Sequence, residues 1–148
     1  MEISLITKQY WTAHEDTAIT TCTSIQEMYD IATIVLSRMP QPVVQVCGPI
    51  ATGGLGSLEA NLTAFNQTIK DLQAQGFHVF DQMPFEYPMQ ELKKQLPDTK
   101  VILDEFYLPL FESGNISKLY FMKGWESSVG ATWEHTQAIR LSIPIVYL

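Results

Sequence analysis

Acidic side chains are the groups in this sequence whose types and positions are best suited to chemistry. Glu134 lies about one and a half turns inside a predicted helix that Ser128 can cap. Gly130 precedes Glu134 by one turn on the same helix face, so that no side chain there separates a ligand from the carboxylate. The pattern predicts a carboxylate that a ligand can reach, and a solvated helix glutamate is the alternative.

A second acid near Glu134 would permit acid–base catalysis by a carboxyl pair. Asp104 and Glu105 lie on the preceding predicted helix, and Asp81 ends a predicted strand. Asp81 is placed to contact a ligand. In the alternative interpretation, Asp104 and Glu105 are an ordinary acidic pair on the surface and Asp81 caps a turn.

Strand-like runs alternate with helical patterns in the part of the chain that must position these acids. Strands are expected at residues 43–47, 77–81, 118–122 and 143–148, helices at 57–76, 89–96, 99–112 and 128–141, and a loop at 82–88. This alternation predicts an α/β fold: a flavodoxin-like, doubly wound parallel sheet with helices on both faces. Ligands of such sheets bind beyond the carboxyl ends of the strands, which selects the loops after Cys47, Asp81 and Met122.

Residues 1–40 are expected to form an N-terminal extension, and residues 41–148 the α/β domain. A short strand is expected at residues 3–6 and a loop at the polar, Thr-rich residues 11–23. Residues 24–27 form a capping box, and the apolar positions that follow predict an amphipathic helix ending before Pro40.

Composition narrows the classes of partner. The net charge is −7 with 9 Lys and Arg, which argues against nucleic acid. The sequence has neither the roughly 20 consecutive apolar residues of a membrane span nor a signal peptide pattern. The three histidines lie far apart, and Cys22 and Cys47 have no metal or disulfide spacing. We therefore expect a cytoplasmic protein with reduced thiols, no metal and no cofactor.

The segment between the first strand and its helix, residues 48–57, is rich in glycine. Free N–H groups and a helix start favour an anion there, but the segment fits neither GxGxxG nor the GxxxxGK[ST] phosphate loop. A flexible surface turn is the alternative. A GxSxG elbow is also absent from the sequence, which argues against a serine hydrolase.

Two stretches together resemble the nucleoside 2-deoxyribosyltransferase-like superfamily, in particular its small bacterial and phage branch. They are Cys-Gly-Pro-Ile at 47–50, followed by Asn61 and Phe65, and Gly-Trp-Glu-x-Ser-x-Gly-Ala-x-x-Glu-His at 124–135 with Ile-Pro-Ile at 143–145. The resemblance covers about residues 43–148. It implies a flavodoxin-like fold, a homo-oligomer, and cleavage or exchange of an N-glycosidic bond.

The resemblance also implies roles for individual residues. Glu134 would be the nucleophile that forms a glycosyl-enzyme intermediate, and Asp104 would orient or protonate the leaving base. The backbone of residues 48–50, namely Gly48, Pro49 and Ile50, would border the pocket. Trp125, Ser128 and Gly130 are further expected substrate contacts.

Ser128 stands where members that exchange bases on free nucleosides carry Asp, and hydrolases of nucleoside 5′-monophosphates carry Ser. The resemblance therefore favours a nucleotide substrate and hydrolysis. The nucleotide hydrolases place an Arg in the first loop, however, and Ala51-Thr52 stands there instead. A catalytically inactive nucleotide-sensing module is the alternative function, and an interaction protein using residues 1–40 is a third.

Overall fold

Four parallel strands form the centre of the structure, a computed structural model that describes residues 2–148. The strands are β1 (Val43–Cys47), β2 (His78–Val79), β3 (Lys118–Phe121) and β4 (Ile145–Tyr147). Their order across the sheet is β2-β1-β3-β4, and every neighbouring pair is parallel. The order reverses direction between β1 and β3, because β1 has β2 on one side and β3 on the other.

Helices connect and flank the strands. They are α1 (Leu5–Lys8), α2 (Ala13–Thr21), α3 (Ile25–Ser37), α4 (Leu58–Ala74), α5 (Met83–Lys93), α6 (Lys100–Ile102), α7 (Leu108–Glu112) and α8 (Val129–Arg140). A π-helical turn, Leu103–Tyr107, joins α6 to α7, and a 3₁₀ turn, Trp125–Ser127, precedes α8. Within residues 2–148, no helix is both long enough and apolar enough to cross a bilayer.

Alternate residues of β1 and β3 enter two apolar clusters on opposite faces of the sheet. Cys47 and Phe121 belong to the larger cluster, with side chains of α3, the π turn and α7. Val46 and Tyr120 belong to the smaller cluster, which α4 covers. Strands buried on both faces are typical of parallel sheets. The predicted α/β class and parallel sheet are confirmed.

The segment before β1 differs from the prediction. The strand expected at residues 3–6 and the loop expected at 11–23 are wrong, because α1 and α2 occupy these segments. Long-range contacts hold them: the Thr7 hydroxyl donates to Asp81 over 2.8 Å, and Arg38 forms an ion pair with the buried Glu15. Such contacts override the weak local pattern of a polar segment.

The amphipathic helix expected at residues 24–39 is confirmed as α3. Ser24 caps it by accepting the Glu27 N–H over 3.2 Å. Its apolar face, which includes Met28 and Val35, lies in the larger cluster with β1 and β3. This part of residues 1–40 therefore helps to form the core of the sheet domain.

Two proline-containing segments also differ from expectation. The loop expected at residues 82–88 is wrong, because α5 begins at Met83 and has Pro84 in its first turn, where a missing N–H costs nothing. The helix expected at 99–112 is present but contains the π turn, in which the Leu108 N–H donates to the Leu103 carbonyl. Pro109 follows directly and has no N–H for an α-helical bond, so the widened turn accommodates it.

Candidate functional site

A cavity of about 370 Å³ lies at the carboxyl ends of the strands. Its wall includes Gly48 and residues 50–52 after β1, Gln82 and Glu86 after β2, and residues 128–131 with Trp133 and Glu134 after β3. The three loops that the sequence selects therefore meet at one cavity, beside the point where the strand order reverses. Ligands of open α/β sheets bind at this position, and the volume suits a small molecule.

The loops after β1 and β3 are fastened to each other. The Thr52 hydroxyl accepts the Val129 N–H over 2.9 Å, and the Ser127 hydroxyl accepts the Gly54 N–H over 2.8 Å. Gly53 has φ +66°, and a Cβ there would lie 2.1 Å from the Ser127 carbonyl oxygen. Only glycine fits this contact, because of both the left-handed φ and the lack of space.

Asn61 on α4 holds the first loop from its other side. Its Nδ2 donates to the carbonyls of Ile50 (2.9 Å) and Gly53 (3.0 Å), and its Oδ1 accepts the Leu55 N–H over 2.8 Å. A buried amide that uses both ends in this way fixes the loop backbone. Hydrogen bonds from α4 and from the loop after β3 therefore hold the cavity wall after β1.

Glu134 is 5% exposed and lies in the cavity wall. Ser128 caps α8 by accepting the Ala131 N–H over 3.1 Å, as its pattern predicts. A Cβ at Gly130 would meet only the Ser128 hydroxyl, at 4.0 Å, so that this face of α8 is open. The carboxyl is therefore buried against the cavity and is not a solvated helix glutamate.

The electrostatic surroundings of Glu134 favour a proton on its carboxyl. Burial raises the pKa of Glu134 to about 8; the Cys47 thiol, which donates to Oε2 over 3.3 Å, lowers it, and the charge of Glu86 raises it. At pH 7 the ligand-free protein therefore holds Glu134 mainly as the neutral acid.

Glu86 is a second buried acid in the same wall, and the sequence analysis missed it. The Tyr107 hydroxyl donates to its Oε1, and Gln90 Nε2 donates to its Oε2 over 3.3 Å. Burial raises the pKa of Glu86 and raises the pKa of Tyr107 well above its usual value. Glu86 falls between two prolines in a segment expected to be a loop, so no helical periodicity marked it as buried.

Polar groups complete the cavity. Gln82 is 2% exposed, and its Oε1 has no hydrogen-bond partner within the described chain. A ligand that enters the cavity can therefore donate a hydrogen bond to this acceptor. Lys93 and Lys100 contribute positive charge to the wall, and Lys100 Nζ also contacts Asp104 over 3.1 Å.

Of the predicted site residues, Gly48, Ile50, Ser128, Gly130 and Glu134 line the cavity. The other four, Pro49, Asp81, Asp104 and Trp125, are not brought to its wall.

Their surroundings explain these positions. Asp104 lies on the solvent side of the π turn, paired with Lys100. Asp81 is buried and accepts hydrogen bonds from the Thr7 hydroxyl and from the Met83 N–H over 2.9 Å, so that it joins α1 to α5. Trp125 stacks on His135 with ring centroids 4.3 Å apart.

Residues 2–148 hold no group of three His, Cys, Asp or Glu side chains arranged to bind a metal ion. The chain matches no protein-family model, and no curated protein or solved structure is significantly similar to it.

Proposed function

We propose that this protein cleaves the N-glycosidic bond of a deoxyribonucleoside or nucleoside 5′-monophosphate, with Glu134 as the nucleophile. The observation that supports this proposal is the buried carboxyl of Glu134 in the wall of a cavity at the reversal point of a parallel sheet. The same proposal includes a flavodoxin-like, doubly wound topology and a place in the nucleoside 2-deoxyribosyltransferase-like superfamily, for which the sequence resemblance is the support.

The proposed reaction uses the carboxylate form of Glu134. As the bond between C1′ and the base nitrogen breaks, its electron pair leaves with the base and C1′ gains oxocarbenium character. A Glu134 oxygen then bonds to C1′, giving a glycosyl-enzyme ester that water hydrolyses to free deoxyribose or, from a nucleotide, to deoxyribose 5-phosphate. The near-attack geometry requires this oxygen about 3–3.5 Å from C1′.

Two lysines in the cavity wall offer partners for a phosphate of the substrate. Lys93 and Lys100 place cations in the wall of a protein whose net charge is −7. The Ser128 hydroxyl hydrogen and the Gly130 N–H lie in the same wall and suit an anion, whereas the Val129 and Ala131 N–H groups are bonded to Thr52 and Ser128. Hydrolysis of a nucleotide is therefore the preferred form of the proposal, ahead of base exchange between nucleosides.

A nucleotide-sensing module without chemistry is the second candidate. The observation that favours it is the pKa of about 8 for Glu134, because a neutral carboxyl is a poor nucleophile at pH 7. Isothermal calorimetry beside a base-release assay at pH 7 and pH 9 separates the two candidates. A sensing module binds nucleotide at either pH and releases base at neither.

Two broader expectations belong to the same proposal. Cys22 and Cys47 are free thiols, which fits work in a reducing compartment such as the cytoplasm. A homo-oligomer is proposed from the resemblance, and light scattering on the purified protein measures its mass directly.

The decisive experiment measures release of free base from a panel of deoxyribonucleosides and their 5′-monophosphates. Glu134→Gln keeps the size and burial of the side chain but removes the nucleophile, so we expect a loss on the order of 10³-fold or more. Glu91→Gln, an exposed acid on α5, is the matched control and should keep the wild-type rate. A Glu134→Gln variant as active as this control would refute the role of Glu134.

A further inference from the structure

The proposed reaction needs a second acid that the proposal has not yet assigned. A base that leaves with the glycosidic electron pair departs faster when a positioned group gives it a proton, and the water that hydrolyses the intermediate must lose one. Asp104, which the sequence resemblance implies for this role, lies outside the cavity wall and pairs with Lys100.

Glu86 meets the structural requirements for that second acid. It lies in the cavity wall, is 4% exposed, and comes from a different element than Glu134, α5 as opposed to α8. Two carboxyls on separate elements of one cavity can act on different sides of a bound substrate. The Tyr107 hydroxyl and Gln90 Nε2 each bond one Glu86 oxygen, so that the carboxyl is held in one orientation.

We propose that Glu86 is the catalytic acid and base of this site and that Tyr107 is its positioning residue. This inference rests on the proposed function. In the first step, Glu86 gives its carboxyl proton to the base nitrogen as the C1′–N bond breaks, while Glu134 bonds to C1′. In the second step, the Glu86 carboxylate takes a proton from water, the water oxygen bonds to C1′, and the ester bond to Glu134 breaks. Glu86 ends protonated, as it began.

The two carboxyls must share one proton in the reactive form. The groups around them are Tyr107 from the π turn, Gln90 and Lys93 from α5, and Cys47 from β1. Tyr107, Gln90 and Lys93 favour the charged form of Glu86, whereas Cys47 favours the charged form of Glu134. The pair therefore titrates in two coupled steps, and the reactive form exists between them.

The test compares Glu86→Gln with Glu91→Gln, the same substitution on the exposed side of the same helix. For a nucleotide whose base needs a proton, we expect Glu86→Gln to lower kcat by about 10²–10⁴-fold with little change in KM. The leaving group of 4-nitrophenyl 2-deoxyriboside 5′-phosphate needs no proton. With this substrate, Glu86→Gln should form the glycosyl-enzyme at the wild-type rate but hydrolyse it more slowly. Stopped-flow absorbance should then show a burst of about one nitrophenolate per site.

Azide provides a readout that a structural role would not change. It attacks the glycosyl-enzyme without giving up a proton, so it should restore turnover of the nitrophenyl substrate by Glu86→Gln and leave the Glu91→Gln control unchanged. Tyr107→Phe keeps Glu86 but removes its hydroxyl donor. The pKa of Glu86 should then rise, which moves the alkaline limb of the kcat profile to higher pH.

Each outcome separates this inference from the proposed function. If Glu86→Gln matches its control while Glu134→Gln is inactive, the role of Glu86 is refuted and the proposed function stands. If Glu86→Gln stays folded but shows neither burst nor azide rescue, its role is structural and the inference fails. Loss of activity in Asp104→Asn together with an active Glu86→Gln would assign the proton to Asp104. If the wild-type protein releases no base from any substrate, both proposals fail.

Discussion

Cys47 lies behind the cavity and donates its thiol hydrogen to Glu134. The thiol is fully buried, and burial together with the charge of Glu134 raises the pKa of Cys47 well above its usual value. The group therefore stays a neutral donor across the working pH range. Its bond to Glu134 stabilises the carboxylate, which is the form that the proposed nucleophile requires.

Replacing this thiol should change the pH at which the enzyme becomes active. In Cys47→Ala the pKa of Glu134 should rise, so that the acid limb of kcat/KM moves to higher pH by about 0.5–1 unit. Cys47→Ser restores a donor and should move the limb back. Cys22→Ala, which lies away from the cavity, is the control. Superimposable profiles for Cys47→Ala and wild type would show that the thiol does not influence Glu134.

Individual site residues could be predicted from the sequence where they belong to a recognisable local pattern. Glu134, Ser128 and Gly130 follow from a strand, a turn and a capped helix in direct succession. Glu86 and Gln82 could not be found in this way, because their burial depends on how α5 packs against the π turn. The family resemblance and its place on the helix before β3 predict Asp104 at the site, but the π turn places it on the solvent side, paired with Lys100.

Elements were predictable to the extent that their signals are local. β1, β3, α4 and α8 have β-branched runs or capped apolar periodicity, and all four lie where the sequence predicts them. The start of α5 and the helices before α3 lacked such signals. The prolines near the start of α5 favour a loop in a reading of the sequence. The segments of α1 and α2 have no apolar periodicity, and long-range contacts such as Thr7 to Asp81 and Arg38 to Glu15 hold them in the folded chain.

At the same scale, the three hydrogen bonds of Asn61 connect α4 to the loop that forms one wall of the cavity. Asn61→Ala should lower the free energy of unfolding by about 1–3 kcal/mol and should also weaken nucleotide binding, because the loop backbone loses its support. Asn66→Ala is a matched control: it is on the same helix and equally buried, but its Nδ2 donates to the Glu2 carbonyl.

Urea unfolding and calorimetric titration of a nucleoside monophosphate measure the two effects. Both variants should lose stability, and only Asn61→Ala should lose affinity. Equal affinities for the two variants would contradict the assigned role of Asn61.

For the whole molecule, the buried carboxyls make stability depend on pH. The pKa of Glu134 is about 8 in the folded protein, whereas a glutamate exposed to water has a pKa of about 4.5. Between these values the folded state binds the extra proton, so that stability falls as pH rises from about 4.5 to about 8. Below this window Glu134 is protonated in both states and has no effect, and above it the full cost of a buried charge is present.

Glu134→Gln removes this cost because glutamine stays neutral. Its free energy of unfolding should exceed that of wild type by an amount that grows from near pH 5 to pH 8, with a slope of at most about 1.4 kcal/mol per pH unit. Urea unfolding at each pH measures the difference, and Glu91→Gln should show no such trend. A constant difference between the Glu134→Gln variant and wild type would mean that Glu134 ionises in the folded protein much as it does in the unfolded chain.

The π turn has a consequence for how relatives of this chain can be found. Ile102 and Tyr107 both line the cavity although they are five positions apart, a spacing that in an α-helix turns the second residue about 140° away from the first. The widened turn brings them back to one side and leaves Asp104 and Glu105 exposed on the other. A homologue one residue shorter would keep both positions on that side at a spacing of four. A sequence alignment with such a homologue should therefore allow a gap of one residue at the π turn. Without that gap, residues on one side of the turn would be aligned with residues that do not occupy the same place in the fold.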